Sequence, residues 1–397
     1  MHPQSNLTIL QPLRIPMLCI LVLSYLGLSQ RRWTFYDAPT KAFLIMLLIS
    51  IGYIPFAVNN FWAYQTARVL LISFLNYMAI KSFIDTEKKL SVFLDFWVIV
   101  GVICAIKGIL NGGKIPGSGF LGDENDFALY LAMMIPIAYF GLFRKNSFQK
   151  KIFYSISIAL FLIGIVSSFS RGGFLGLVGV VFFSWLMTPK KFLTLAIGVI
   201  VLLIGYNLAP DEYKREMTTI SQGTEESTGG ERMYSWMCGI RMFADNPIFG
   251  VGSGNFPWRF AEYEPPEKWK GRSHGGRAAH SLYFTLISEF GLVGTICYLI
   301  MIYAPFKALR KGQRFIDFGA MNSDQWIVYK RLKFLLYSIY GILFGFLVAG
   351  IFLSVLYYPH FWIVCGLLNA FLSIYFTQIN KFPSFDQANK KNISVIK

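Results

Sequence analysis

The sequence predicts an all-α, polytopic membrane protein, and two observations carry this prediction: the composition and the length of the apolar runs. Hydrophobic residues make up 55% of the 397 residues, whereas charged residues make up only 15%. The apolar residues come in uninterrupted runs of about 18 to 22 residues, which matches a bilayer core roughly 30 Å thick. Because lipid offers the backbone no hydrogen-bond partners, each run is expected to be a helix.

The runs predict about eleven or twelve transmembrane helices in a single membrane domain over residues 1–397. The first run has no small-residue cleavage site before Arg31-Arg32, so it is expected to be a retained helix rather than a cleaved signal peptide. One long polar loop with short helices (209–280) and a tail (380–397) lie outside the predicted helices. These helices cover 11–28, 41–58, 61–80, 90–110, 125–143, 151–169, 172–188, 191–208, 281–303, 332–354 and 358–379.

The Lys and Arg residues of the short connections collect on one side of the predicted membrane. Alternation down the helices puts these on that side: Arg31, Arg32, Lys41, Lys81, Lys88, Lys89, Arg144, Lys145, Lys150, Lys151, Lys190, Lys191 and the basic residues of 307–333 and 381–397. The short connections of the other side hold only Arg14, Lys114 and Arg171. Because positive residues mark the cytoplasmic side, we expect a cell inner-membrane protein with a cytoplasmic tail and a periplasmic or extracellular large loop.

The net charge of +16 does not require a nucleic-acid partner. Most of the excess lies in the cytoplasmic connections, where it anchors the protein to anionic lipids. Membrane lipids, and no nucleic acid, are therefore the expected partners. Of the five cysteines, four lie in apolar segments, so neither a disulfide framework nor a thiolate metal site is predicted.

A second set of basic residues lies on the outer side, against the orientation trend. It comprises Arg68, Lys107 and Arg171 near outer helix ends, and Arg232, Arg241, Arg259, Lys268, Lys270, Arg272 and Arg277 in the loop. An anionic ligand at the outer leaflet, such as a lipid diphosphate, would account for these charges. The alternatives are ion pairs with acidic residues of the loop and, for Arg68 and Lys107, snorkelling to the interface.

Two of the outer segments hold the strongest candidates for chemistry. Arg171 lies between two helices in the sequence Ser-Phe-Ser-Arg-Gly-Gly (168–173), where small residues let a ligand approach the backbone. His280 stands where the loop meets the ninth helix; a neutral histidine there can accept a proton from a hydroxyl, or can simply cap the helix. Glu289 lies about two and a half turns deeper, where we expect it to pair with Arg68 or Lys107.

The remaining motifs predict no cofactor and no metal. The glycine-rich run Gly250-Val251-Gly252-Ser253-Gly254 does not indicate a dinucleotide site, because no strand precedes it and no βαβ unit surrounds it. The outer loop has no cluster of Asp, Glu or His with the spacing of a metal site.

These segments resemble the O-antigen ligase and polymerase family of membrane glycosyltransferases, and the ligases in particular. Arg171-Gly172-Gly173-Phe174-Leu175 is similar to the arginine motif of the family, and His280-Ser281 followed by Gly291 and Gly294 is similar to its histidine motif. The segments 232–236 and 246–252 resemble the opening of the family's large periplasmic loop, and 122–126 resembles a family element that precedes a helix. The likeness covers most of residues 120–300, although family ligases are usually described with twelve helices.

The resemblance implies a GT-C-like fold and metal-independent, inverting transfer on the periplasmic side during polysaccharide or lipopolysaccharide biosynthesis. The implied donor is a glycan linked to undecaprenyl diphosphate, and the acceptor is a lipid or glycan such as lipid A–core. His280 would then act as general base on the acceptor hydroxyl or orient it, and Arg171 would stabilise the departing diphosphate. Further substrate contacts are expected from Arg68, Arg232, Arg241, Arg272 and Arg277.

Two other functions stay open at the level of sequence. A polysaccharide polymerase that joins lipid-linked repeat units would share these motifs and the large loop. A small-anion transporter is a more remote alternative, because transporters place charges and broken helices near the membrane midplane, whereas here they concentrate at the outer helix ends.

Overall fold

A computed structural model of the chain describes residues 33–144, 146–188, 191–192, 195–196, 198–199, 227–267, 271, 273, 275–314 and 321–380. This part of the chain consists of helices and short 3-10 turns, without strands. The helices are α1 (Ala38–Tyr53), α2 (Asn60–Phe83), α3 (Glu87–Leu110), α4 (Glu124–Phe143), α5 (Phe148–Ser167), α6 (Arg171–Met187), α7 (Ser227–Asp245), α8 (Phe256–Arg259), α9 (Leu282–Gln313), α10 (Ser323–Ala349) and α11 (Pro359–Ile379).

Seven helices of the described chain are long and apolar enough to cross a membrane, namely α1, α3, α4, α5, α9, α10 and α11. The protein is therefore an all-α, polytopic membrane protein, as the apolar runs predict. Helix α6 is apolar but has only 17 residues. Helix α2 has 24 residues but is not among the seven, because polar side chains such as Gln65 and Arg68 lower its mean hydropathy.

The predicted helix positions agree with the structure to within a few residues, except at α9 and α10. Helix α9 continues ten residues beyond its predicted end at 303, and α10 begins at Ser323 instead of 332. The earlier start of α10, by about two and a half turns, coincides with a capping box, in which the side chains of Asn322 and Gln325 bond to each other's backbone amides. The helix predicted over 11–28, and most of that over 191–208, lie outside the described residues.

Helix α4 forms the centre of the bundle and packs against α3, α5, α6 and α10. In the apolar stretch of α4, 78% of the residues are buried, whereas in that of α5 only 28% are buried. Glycines allow the close approach between α4 and α5: a Cβ at Gly141 would lie 2.7 Å from the Tyr154 ring, and one at Gly164 would lie 2.4 Å from Leu131. The start of α4, with residues 123–126, is thereby held firmly at one end of the bundle.

Helix α9 is broken at Gly291, and a loop segment fills the break. Gly291 has φ 59° and ψ −156°, which no regular helix contains. The loop residues Val251 and Gly252 donate their amides to Ser288 O and Glu289 O at 2.8 and 3.1 Å. On the far side of the break, Leu292 N and Val293 N donate to the carbonyls of residues 247 and 248, at 2.8 and 3.1 Å. The backbone groups freed by the break are thus satisfied by the loop, as an apolar environment demands.

The large loop has a small hydrophobic core of its own beneath α7. It consists of Tyr234, Cys238, Met242, Val251, Phe256, Phe260 and Ala279. This core joins α7 and the 251–260 segment to Ala279, which directly precedes His280. The surroundings of Cys238 are dry enough that burial raises the pKa of its thiol to about 11. The loop is therefore a folded cap that fixes the entrance of α9.

Candidate functional site

The turn that carries Arg171 is fastened to the start of α4. The hydroxyl of Ser170 donates to Asn125 Oδ1 at 2.8 Å and accepts the amide of Gly173 at 2.8 Å, which caps α6. A Cβ at Gly173 would lie 2.1 Å from the Cβ of Ala128, so only glycine permits this packing. Arg171 is consequently held at the first position of α6, where the partial positive charge of the helix N-terminus adds to its guanidinium.

A polar cleft of about 340 Å³ opens at this turn. Its lining comes from four parts of the chain: Gly112, Glu124, Asn125, Ser168, Phe169, Ser170, Arg171 and Arg232. Two guanidinium groups, from α6 and α7, therefore face one space beside a helix N-terminus. This combination favours an anion such as a phosphate. The carboxylate of Glu124 on the cleft wall is already paired with Lys114, at 2.5 Å.

Helix α7 connects the cleft to His280. The guanidinium of Arg232 lies 6.0 Å from the centre of the Phe352 ring. One turn further along α7, Trp236 stacks on Phe284 with ring centres 4.9 Å apart, and its indole N–H donates to Ala279 O at 2.9 Å. The same helix thus positions a cleft arginine and the residue that precedes His280.

His280 is held in an unusual backbone conformation at the entrance of α9. Its φ is 48°, in the left-handed region that few residues other than glycine adopt, although asparagine, aspartate and histidine are enriched there. On its other side, Leu282 N donates to Gly350 O at 2.7 Å. Among the described residues, only Phe169 also combines a side chain with positive φ, at 52°, and Phe169 lines the cleft. Strained backbone of this kind concentrates at functional sites.

Electrostatics favour the neutral form of His280. Partial desolvation lowers the pKa of the imidazole below its usual value, and the positive charges of Arg232 and Arg277 lower it further. The carboxylates of Asp123 and Glu231 act in the opposite direction but are the smaller influences. Since a neutral histidine has a free lone pair, His280 can accept a proton at neutral pH.

Part of the chain, including most of this site, is similar to a known protein family. Residues 155–299 match the family model of O-antigen ligase. The resemblance predicted from the arginine and histidine motifs is thereby confirmed over this region, which contains Arg171, Arg232 and His280. Members of that family are membrane glycosyltransferase-like ligases and polymerases that use lipid-linked glycans. No curated protein matches the chain significantly.

Of the other residues that the sequence singles out, Arg277 also lies within the residues that match the family model. Its guanidinium forms an ion pair with Glu231 on α7, at 2.5 Å, and its charge acts on His280. The structure therefore brings together Arg171 and Arg232 in the cleft, and the charges of Arg232 and Arg277 both act on His280.

Arg241 and Arg68 do not line the cleft. Arg241 lies nine residues beyond Arg232 on α7, roughly 13 Å along the helix axis, and donates to Tyr263 O at 3.2 Å. It lines a different hollow with Asp245 and Glu262, so a structural role explains it. Arg68 is exposed on α2, without an ion pair to any described residue. Arg272 lies outside the described residues.

The predicted ion pair of Glu289 with Arg68 or Lys107 is wrong. The Glu289 side chain is only 2% exposed and accepts the amides of Gly254 and Phe256, both at 2.9 Å, and the hydroxyl of Tyr357. Backbone amides of the glycine-rich run thus satisfy this carboxyl in place of a basic side chain. The run Gly250–Gly254 has a structural role, because it forms the segment that docks onto broken helix α9.

Several residues that shape the site give no local signal in the sequence. Gly350 and Phe352 follow α10. Gly350 accepts the amide of Leu282, two residues after His280, and the ring of Phe352 lies against Arg232. Their positions depend on how helices that are distant in the sequence pack together. The pattern of residues along the sequence does not show this packing. Asn125, by contrast, lies in the recurrent element 122–126, and that likeness was the available signal for its role beside Ser170.

Proposed function

We propose that this protein is an O-antigen ligase-like glycosyltransferase that moves a glycan from undecaprenyl diphosphate to an acceptor, such as lipid A–core, on the periplasmic side. The single observation that supports this most strongly is that Arg171 and Arg232 line one cleft, while the charge of Arg232 acts on His280. A diphosphate requires concentrated positive charge, and an attacking hydroxyl requires a base. The site offers both within one small region.

The arginines would stabilise the leaving group. As the bond from the anomeric carbon to the diphosphate oxygen breaks, the diphosphate leaves with the electron pair and gains negative charge. Arg171, Arg232 and the N-terminus of α6 lie where they can share that charge. In this proposal the guanidinium groups supply the charge stabilisation in metal-independent transfer.

His280 would act on the acceptor. The acceptor oxygen forms the new bond to the anomeric carbon while its proton passes to the neutral imidazole. Attack from the face opposite the diphosphate inverts the configuration at that carbon. The fixed backbone on both sides of His280, through Ala279 O and Leu282 N, supports a role that demands accurate placement.

The proposed location is the inner membrane, with the large loop outside and the C-terminus in the cytoplasm. The distribution of basic connections supports this orientation. At the end of the bundle opposite the cleft, basic residues pair with acidic ones, as Lys150 and Arg144 do with Asp95 at 2.8 and 2.9 Å. The cleft and its arginines lie at the end with few basic connections.

Glycan profiles of a deletion strain test the proposal and separate it from the polymerase alternative. The strain is complemented with wild type or with His280→Asn, because asparagine tolerates positive φ and lacks the base. A ligase predicts long glycan that accumulates on undecaprenyl diphosphate without reaching the final acceptor in the deletion and the variant. Acceptor with single repeat units only would indicate the polymerase, and an unchanged profile would contradict both.

A further inference from the structure

A second cavity lies next to His280 and has no assigned role. It has a volume of about 320 Å³ and shares no lining residue with the arginine cleft. It reaches Ala278 and Ala279, the two residues before His280. Its lining comprises Trp62, Gln65, Thr66, Val69, Gly254, Phe256, Pro257, Ala278, Ala279, Thr285, Glu289, Ser354 and Tyr357. His280 is therefore the next residue in the chain after two residues of this cavity's wall. The charge of Arg232, which lines the arginine cleft, acts on His280.

The chemistry of the lining suits a ring that carries hydroxyl groups. Trp62 is 48% exposed and presents an aromatic face on which an apolar sugar face can stack. Ser354 Oγ is buried and has no hydrogen-bond partner among the described residues. Half-buried Gln65 adds a side-chain amide to the same wall. Buried polar groups rarely stay unpaired, so the Ser354 hydroxyl indicates a polar ligand.

The size of the cavity limits what can enter it. About 320 Å³ is at the lower end of the roughly 300–1,000 Å³ of ligand pockets. The cavity thus suits the terminal sugar of a larger molecule rather than a long chain. Its floor is rigid, because Glu289 and Tyr357 are bonded to each other and to the 254–256 backbone.

We propose that this second cavity binds the terminal sugar of the acceptor and presents its hydroxyl to His280, with Trp62, Gln65 and Ser354 as specificity-determining residues. The donor diphosphate then occupies the arginine cleft, and the two substrates approach the histidine from separate cavities. This inference rests on the proposed glycosyl transfer and assigns the place of the second substrate.

The test measures KM for each substrate separately with purified full-length protein in liposomes. The donor is the lipid-linked glycan, and the acceptor is the unmodified glycolipid, both extracted from a deletion strain. Trp62→Ala, Gln65→Leu and Ser354→Ala are each expected to raise the acceptor KM about three- to tenfold. The donor KM is expected to change less than about twofold, because the cleft is untouched. Ser354→Ala removes a hydroxyl that has no hydrogen-bond partner among the described residues, so the fold of this variant is expected to stay intact.

Two residues of α2 provide matched controls. Tyr64 is 51% exposed and lies two residues from Trp62, on a different face of the helix. Asn76 lies on the same face as Gln65 but roughly 16 Å further along the axis, outside the cavity lining. Tyr64→Ala and Asn76→Leu are expected to leave both KM values unchanged.

The outcomes separate this inference from the proposed function. Absence of transfer by the wild type would contradict the glycosyltransferase proposal and this inference with it. Wild-type transfer with unchanged acceptor KM in all three variants would contradict the acceptor cavity alone. A rise in donor KM would also overturn it, and would place the isoprenoid chain or the glycan of the donor in this cavity.

Discussion

At the scale of single residues, the site depends on what surrounds each charge. Arg171 is fixed by a turn whose serine and glycines bind to α4, and Arg232 by a ring contact with Phe352. Arg241, on the same helix as Arg232, points to another hollow. Arginines in similar outer segments therefore have different expected roles, and substituting them one at a time can distinguish these roles.

Replacing Arg171 is expected to remove most of the activity. Arg171→Ala should lower kcat/KM about 10²- to 10³-fold, because a charge that stabilises the departing diphosphate is lost. Arg171→Lys should recover part of it, since lysine keeps the charge without the planar, two-pronged donor set. The matched control is Arg241→Ala, whose rate should stay near wild type. Rates of transfer by purified protein measure both, and equal losses in the two variants would contradict the assignment.

The pH dependence of transfer should report His280. Its pKa lies below the usual value of about 6.5, so the neutral, base-competent form persists as the pH falls below 6.5. The acid limb of kcat/KM is therefore expected below pH 6.5. Arg277→Gln removes a positive charge that disfavours the imidazolium, which raises the pKa and moves the acid limb to higher pH. A limb that stays in place or moves to lower pH would contradict this.

At the scale of elements, the break of α9 makes the outer loop and the membrane helix one structure. Residues 247–252 occupy the break and satisfy its free backbone groups, and Glu289 receives two further amides of the same segment. The break lies about three turns from His280 along α9. Its integrity determines how the cap sits above the site.

Gly291→Ala should destabilise the protein strongly. A Cβ at this position would lie 2.6 Å from Gly250 N and from the Ile248 carbonyl, in a conformation that only glycine adopts easily. A loss of more than about 3 kcal/mol is expected, seen as a large fall in Tm or as failure to obtain folded protein in detergent. Gly52→Ala is the control, because a Cβ there meets no atom within 4 Å. A Gly291→Ala protein with wild-type Tm would disprove the tight fit.

The sequence predicted elements well where one pattern dominates. Apolar runs located the spans of α1 to α6 to within a few residues, and α7 is one of the short helices expected in the large loop. The insertion of 247–252 into α9 could not be predicted, because hydrogen bonds between a loop and a broken helix leave no periodicity. The glycines at 250, 252 and 291 have positive φ in the structure, but their spacing in the sequence did not indicate the insertion.

At the scale of the whole molecule, the bundle places its basic connections at one end and the cleft at the other. Likeness to a family located Arg171 and His280, whereas charge counting alone also selected Arg68 and Arg241, which do not line the cleft. The difference is physical: exposed charges are stable without a ligand in water or at an interface. Only their convergence in space indicates a site, and convergence is a property of the fold.

The proposed orientation can be tested by labelling single cysteines in cells. Glu267, exposed in the large loop, and Lys88, exposed at the start of α3, are each changed to cysteine in a variant without native cysteines. A membrane-impermeant maleimide added outside should label Glu267→Cys in cells whose outer barrier is opened. It should label Lys88→Cys only after the inner membrane is disrupted. The reverse pattern would invert the topology and move the site to the cytoplasm.

Glycosyl transfer by the purified protein tests the proposed function and the role of His280 together. The substrates are the lipid-linked glycan and the acceptor glycolipid, both extracted from a deletion strain. Wild type is compared with His280→Asn, with Tm measured for each. We expect transfer by wild type, and a loss of about 10²- to 10⁴-fold in a variant that retains its Tm. Transfer at similar rates by both proteins would contradict the role of His280, and no transfer by wild type would contradict the proposed function itself.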